Sequence, residues 1–170
     1  MLDTTALNMS AGVNILLVLL MLSVLITDAT KKKIYNIQTY PAMLGGLALG
    51  CLLGSWQGLW ASFLGLVVGM ALLFVFYLVG GIGAGDVKLL GAIGALKGAT
   101  FVVWTLYYTA LIGGAMALAL IIWKGMVRQT LGNIVQFIRN PLNPPVVDAP
   151  QYLPYGVAIS LGCLCGLLIV

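Results

Sequence analysis

No charged side chain interrupts the chain between Lys33 and Asp86. That stretch has room for two spans of the ~20 apolar residues needed to cross ~30 Å of hydrocarbon. Over all 170 residues 7% are charged and 62% hydrophobic, whereas a soluble domain carries roughly 25% charged residues. An ordinary water-facing surface cannot be built from this composition, so an integral membrane protein is expected. Six candidate spans follow, at 11–27, 37–55, 58–80, 86–97, 99–123 and 152–170. The fold class predicted is all-α: one membrane-embedded domain over residues 1–170, a compact bundle of six transmembrane helices. Small residues recur four apart at Gly46, Gly50 and Gly54, at Ala61, Gly65 and Gly69, and at Ala158, Gly162 and Gly166. Such stripes let helices approach closely in lipid.

The few charges orient the bundle. If Lys31, Lys32 and Lys33 are cytoplasmic, alternation puts Lys88, Lys124, Arg128 and Arg139 on the same side and leaves only Lys97 outside. Seven against one is a strong positive-inside bias, and it places both termini outside. The first ten residues hold Asp3 but no Lys or Arg, and the basic cluster follows the apolar run. That pattern is an uncleaved, N-out first helix and not a signal peptide. Eight basic residues spread along the chain form no dense patch for nucleic acid. Residues 124–150 make the one sizeable loop, on the cytoplasmic side. In it Val127, Leu131, Ile134, Val135 and Ile138 recur at helical spacing before Pro141, Pro144, Pro145 and Pro150. This predicts an amphipathic helix on the inner membrane surface, an anchor or spacer, followed by an extended connector.

The chain has no His and no Glu. His-based triads, Cys–His nucleophiles, His-ligated zinc and Glu-based glycosidase pairs are thereby excluded. Its four acids are all Asp. Asp3 lies in the tail and Asp148 in the proline-rich loop, where solvation explains them. Asp28 follows the apolar run of span 1, and Asp86 follows a glycine-rich segment at the start of span 4. The topology puts both at the inner boundary. Asp86 to Leu96 rises only ~16 Å as a helix, about half the hydrocarbon thickness. Either span 4 continues past Lys97 or Asp86 starts inside the membrane. Two such carboxyls brought close cannot both ionise. One could then take a proton from water while the other hydrogen-bonds a carbonyl, which is aspartic-protease chemistry. The simpler reading is that Asp28 flanks a helix end and Asp86 caps span 4.

Gly83-Ala84-Gly85-Asp86-Val87-Lys88-Leu89 matches GxGDxKL, and the chain thereby resembles the type IV prepilin peptidases. The GxGD core is shared with archaeal preflagellin peptidases and presenilin-type intramembrane proteases. Asp28-Ala-Thr-Lys-Lys-Lys-Ile-Tyr-Asn36 resembles the first-aspartate segment of that family, and Pro154-Tyr155-Gly156 the motif opening its last helix. Tyr35 stands where the family has Pro, which leaves that turn less rigid.

The resemblance implies that Asp28 and Asp86 are the catalytic pair. It also implies that Gly83 and Gly85 let backbone approach a substrate, and that Asn36, Pro154, Tyr155 and Gly156 belong to the site. Lys88, two residues along a helix, points away from Asp86 and would contact headgroups or tune charge. The implied substrates are prepilin or pseudopilin precursors, with a short basic leader cut just before a hydrophobic helix at the cytoplasmic face of the cell membrane. Pilus-assembly machinery is a further partner. No metal or other cofactor is implied. Cys51, Cys163 and Cys165 all lie in apolar spans and form no CxxC, so the methyltransferase segment of larger relatives, and N-methylation, are not expected. The short length most resembles peptidases of tight-adherence (Flp-type) pili. A small proton- or cation-coupled transporter using the same two aspartates is the alternative, and an inert scaffold in a pilus-assembly complex the third.

Overall fold

A computed structural model describes residues 4–140 and 154–169. Six helices make up the fold over these residues: α1 (Thr4–Lys31), α2 (Asn36–Leu78), α3 (Ala84–Lys97), α4 (Ala99–Trp123), α5 (Val127–Arg139) and α6 (Tyr155–Ile169). Three of them, in Ala11–Lys31, Asn36–Leu78 and Ala99–Trp123, are long and apolar enough to cross a membrane. The proline-rich connector, Asp148, Asp3, and the Tyr152 and Leu153 that were expected to open the last span lie outside the described residues.

The two spans expected at 37–55 and 58–80 form a single 43-residue element, broken at Ser55 by φ 53° and ψ −142°. In a straight helix residues 50 and 62 would stand ~18 Å apart. Here the Ser62 hydroxyl and the Gly58 carbonyl occupy the space beside Gly50. The chain therefore doubles back at Ser55, into a first limb (36–54) and a second limb (56–78). The second limb ends at Leu78, short of the expected boundary, and Gly80 (φ 80°) begins the turn into α3.

Between the limbs and α1, α4 and α6 lies α3, the centre of the core. Leu89, Leu90, Ala92, Ile93 and Ala95 have no exposed surface. The first four pack with Leu17, Met21 and Val24 of α1, Val102 of α4, and Ile159 and Cys163 of α6. Glycines set the spacing. A Cβ at Gly65 would overlap the Gly94 carbonyl, one at Gly69 the Leu90 carbonyl, and one at Gly46 would lie 2.6 Å from Ala95 backbone. Gly162 is pressed in the same way on Thr105 and Thr109 of α4. Of the small residues four apart, Gly54 has nothing within 4 Å of its Cβ position, Gly166 would make only ordinary contact with the Phe101 ring at 3.5 Å, and Ala61 is exposed.

At Gly98 (φ 83°) α3 stops, and α4 starts one residue later. Span 4 therefore does not run on past Lys97. The fourteen-residue α3 is ~21 Å long, and Lys97 at its end donates to Asn14 Oδ1 of α1 at 2.9 Å. Asn14 lies fourteen residues before Asp28 in α1, and Lys97 eleven after Asp86 in α3. The two helices thus run antiparallel, with both acids at one end.

The outside is apolar: Leu52 is 78% exposed, Val79 82% and Leu168 87%. Soluble monomers rarely expose apolar surface of this extent, and lipid solvates it without cost. On α5, the helix expected between the last two spans, Val127, Leu131 and Val135 are exposed. The bundle leaves that apolar stripe uncovered.

Candidate active site

Asp28 occupies the last turn of α1 and is 1% exposed. Its Oδ2 accepts from the Val157 N–H at 3.1 Å, across 129 residues of sequence. Val157 is the third residue of α6, where backbone N–H groups lack a carbonyl four residues back. Its N–H is shared with the Pro154 carbonyl, also at 3.1 Å. The carboxylate therefore sits on the positive end of a helix dipole. It reaches that place because residue 156 is glycine: a Cβ there would lie 2.8 Å from Asp28 Oδ2 and 2.9 Å from Ile34 Cδ1.

Asp86 is the third residue of α3 and is 8% exposed. Its Oδ2 accepts from the Gly83 N–H at 3.1 Å. It is therefore not the N-cap itself. It reaches back from the third helical position to the capping residue, as the acidic member of a capping box does. Gly85 beside it is packed on Ile34, whose Cβ would be 2.9 Å from a side chain at 85. Ile34 thus wedges between Gly85 and Gly156. Packing on Ile34 inside the protein already requires glycine at 85. Asp86 lies within Coulombic reach of Asp28.

The remaining expected residues fall into two groups. Lys88 and Asn36 meet: Lys88 Nζ donates to Asn36 Oδ1 at 3.0 Å and lies 4.9 Å from the Tyr40 ring centroid. That bond ties the start of α2 to the first turns of α3, on the side of α3 away from Asp86. Pro154 and Tyr155 open α6. Tyr155 joins Asp86 in lining a cavity of about 370 Å³, whose wall does not include Asp28.

Sequence reasoning missed Ile34 and Gln38. Gln38 Oε1 accepts from the Tyr35 N–H at 3.1 Å, while its Nε2 donates to the hydroxyls of Ser23 (3.2 Å) and Thr27 (3.3 Å). The amide thereby clamps α2 to the turn of α1 just before Asp28. Proline at 35 has no N–H to offer, so Tyr35 brings a bond of its own to a turn that had been expected to be looser. The one available signal was a lone glutamine three residues beyond the residue preceding α2. Among the described residues no group of three or more His, Cys, Asp or Glu side chains could hold a metal ion.

Two acids from separate segments, both buried and both anchored on backbone N–H groups, coincide with a match to the type IV leader peptidase family (Peptidase A24) over residues 15–118. The chain belongs to that family. The match spans more than half of the sequence and includes Asp28, Asn36, Asp86 and Lys88. It stops before Pro154, Tyr155 and Gly156, of which the fold nevertheless brings Gly156 against Asp28. No curated protein and no solved structure matches the chain significantly. The family is one of aspartic peptidases acting on prepilins, and the three long apolar helices agree with a membrane-embedded member.

Proposed function

We propose that the chain is a membrane aspartic endopeptidase that removes the short basic leader of prepilin-like precursors, with Asp28 and Asp86 as its catalytic dyad. The observation that carries this is their convergence: two buried acids, fifty-eight residues apart in sequence, lie within Coulombic reach at one end of the bundle. Close carboxyls share one proton between them. The ionised member takes a proton from water as the water oxygen bonds to the scissile carbonyl carbon, and the protonated member hydrogen-bonds the carbonyl oxygen. Collapse breaks the C–N bond, and the nitrogen leaves with a proton from the dyad. No other cofactor enters.

In this reading both limbs of α2 cross the bilayer, as do α1, α4 and α6, while the ~21 Å α3 is shorter than the ~30 Å hydrocarbon and so starts Asp86 inside the membrane on its cytoplasmic side. Both termini lie outside, and the dyad sits at the cytoplasmic boundary beside Lys31, Lys32 and Lys33. The exposed stripe of α5 rests on the inner leaflet. Its three cysteines form no CxxC pair, which supports a peptidase acting without N-methylation, most like those serving Flp-type pili. The deciding experiment co-expresses the chain with a prepilin and follows leader removal on a gel for Asp28→Asn and Asp86→Asn separately. Both variants should insert normally and leave the precursor uncut. Full processing by either one overturns the dyad.

A further inference from the structure

Beside Asp86 the bundle is not filled. The cavity of about 370 Å³ lies between the second limb of α2, α4 and the start of α6. Leu73, Phe76, Leu106 and Ile159 make its larger walls. Thr109 also borders it, but its hydroxyl donates to the Thr105 carbonyl at 2.7 Å, so that proton is committed to its own helix. Beyond Leu106 and Thr109 the wall along α4 consists of Ala110, Gly113, Gly114 and Ala117. The space exists because these side chains are too small to fill it.

These glycines differ from those in the core. Nothing lies within 4 Å of a Cβ at Gly114, and one at Gly113 would make only ordinary contact with Ala158 Cβ at 3.6 Å. Helix packing does not require them, yet an unfilled apolar space is destabilising. Ala110 and Gly114 are exposed, so the cavity opens outward beside α4. One turn of helix with its side chains, ~10 Å across and 5.4 Å tall, occupies roughly 420 Å³. The cavity therefore matches about one turn of an apolar segment and is far too small for a whole spanning helix. A basic, hydrophilic leader would lose its hydration in such a place without gaining partners.

We infer that this cavity is the subsite for the apolar residues that immediately follow the cleaved bond, the first turn of the precursor's hydrophobic helix. Gly113, Gly114 and Ala110 set the size of residue it accepts. The inference rests on the peptidase reading of Asp86, whose presence in the wall puts the subsite next to the reacting bond.

The test measures single-turnover cleavage in membranes for two precursors, one with a large apolar residue directly after the cleaved bond and one with Ala there. Gly114→Phe occupies the space. Cleavage of the bulky precursor should fall about tenfold or more, as expected when a pocket must exclude several methylenes, through a raised KM. The Ala precursor should be cut nearly as by the parent enzyme. If Gly114→Phe does not accumulate in the membrane, Ala110→Leu carries the same comparison. Equal slowing of both precursors, or no effect on either, overturns the subsite; the second result is the one expected if a lipid chain fills the cavity. Asp28→Asn and Asp86→Asn, run alongside, separate the two ideas. Cleavage by either variant defeats the peptidase reading, whereas inactive aspartate variants with an indiscriminate Gly114→Phe defeat the subsite alone.

Discussion

A single methyl group at Gly156 should disable the enzyme without unfolding it. The Cβ of Gly156→Ala would lie 2.8 Å from Asp28 Oδ2, 2.9 Å from Asp28 Cγ and 2.9 Å from Ile34 Cδ1, where ordinary contact begins at 3.4 Å. All three are outer atoms of side chains, so these give way and the backbone stays in place. Relief requires about 0.6 Å of movement by the Asp28 carboxylate, the difference between 3.4 and 2.8 Å. Moving away from α6 by that amount stretches the 3.1 Å bond from the Val157 N–H to about 3.7 Å, beyond hydrogen-bonding distance. The N–H keeps its Pro154 partner, whereas the carboxylate loses this donor. A hydrogen bond to a charged group contributes about 1.5–3 kcal/mol, and a misplacement of ~1 Å in a catalytic constellation costs up to ~100-fold. Cleavage should therefore fall by about 10- to 100-fold. Alanine is favoured over glycine within a helix by about 1 kcal/mol, which offsets part of the lost bond, so thermal stability in detergent should fall by only about 0.5–2 kcal/mol. The assay pairs single-turnover leader cleavage with thermal unfolding, and uses Gly54→Ala, where nothing lies within 4 Å, as the silent control. A Gly156→Ala enzyme that cleaves within about twofold of the parent, or one whose lost activity tracks lost stability, would refute the reasoning.

Three further outcomes follow from the packing. Gly94→Ala drives a methyl group into the Gly65 carbonyl, where only backbone can move. Overpacking of this kind costs about 1–3 kcal/mol or more, and thermal unfolding should record it as a clear loss of folded protein. Lys88→Met and Asn36→Ala remove the same bond, so a double-mutant cycle read by unfolding should give a coupling of about 0.5–1 kcal/mol. Two additive effects would show that the bond contributes nothing. Lys97→Met breaks the bond to Asn14 at a point ~16 Å along α3 from Asp86. Stability should drop by about 1–3 kcal/mol while the cleavage rate per folded molecule is unchanged, and a selective loss of cleavage would show that the far end of α3 is coupled to the site.

Much of this protein is written in local composition. A stretch without charges between Lys33 and Asp86 requires lipid for a solvent, whatever the chain does next. The helix boundaries near Lys31, Gly98 and Trp123 follow from charge and from glycine's tolerance of positive φ. Asp28 and Asp86 stood out because an acid at the edge of an apolar run demands a reason. These conclusions need only neighbours in sequence, since hydration and backbone propensity act over a few residues.

What joins the two acids is not local. Ile34 wedged between Gly85 and Gly156, Gln38 clamped on Ser23 and Thr27, and Asp28 held by a backbone N–H 129 residues away all depend on which helices pack together. So do the reversal of α2 at Ser55 and the unfilled space beside α4. A glycine looks the same in sequence whether a carbonyl presses on it, as at Gly65, or nothing does, as at Gly114. Close packing is a property of pairs of surfaces. The sequence by itself determined the solvent, the helices and the two scarce carboxyls, and only the tertiary structure decided which glycines are pressed into close contact and which leave space unfilled.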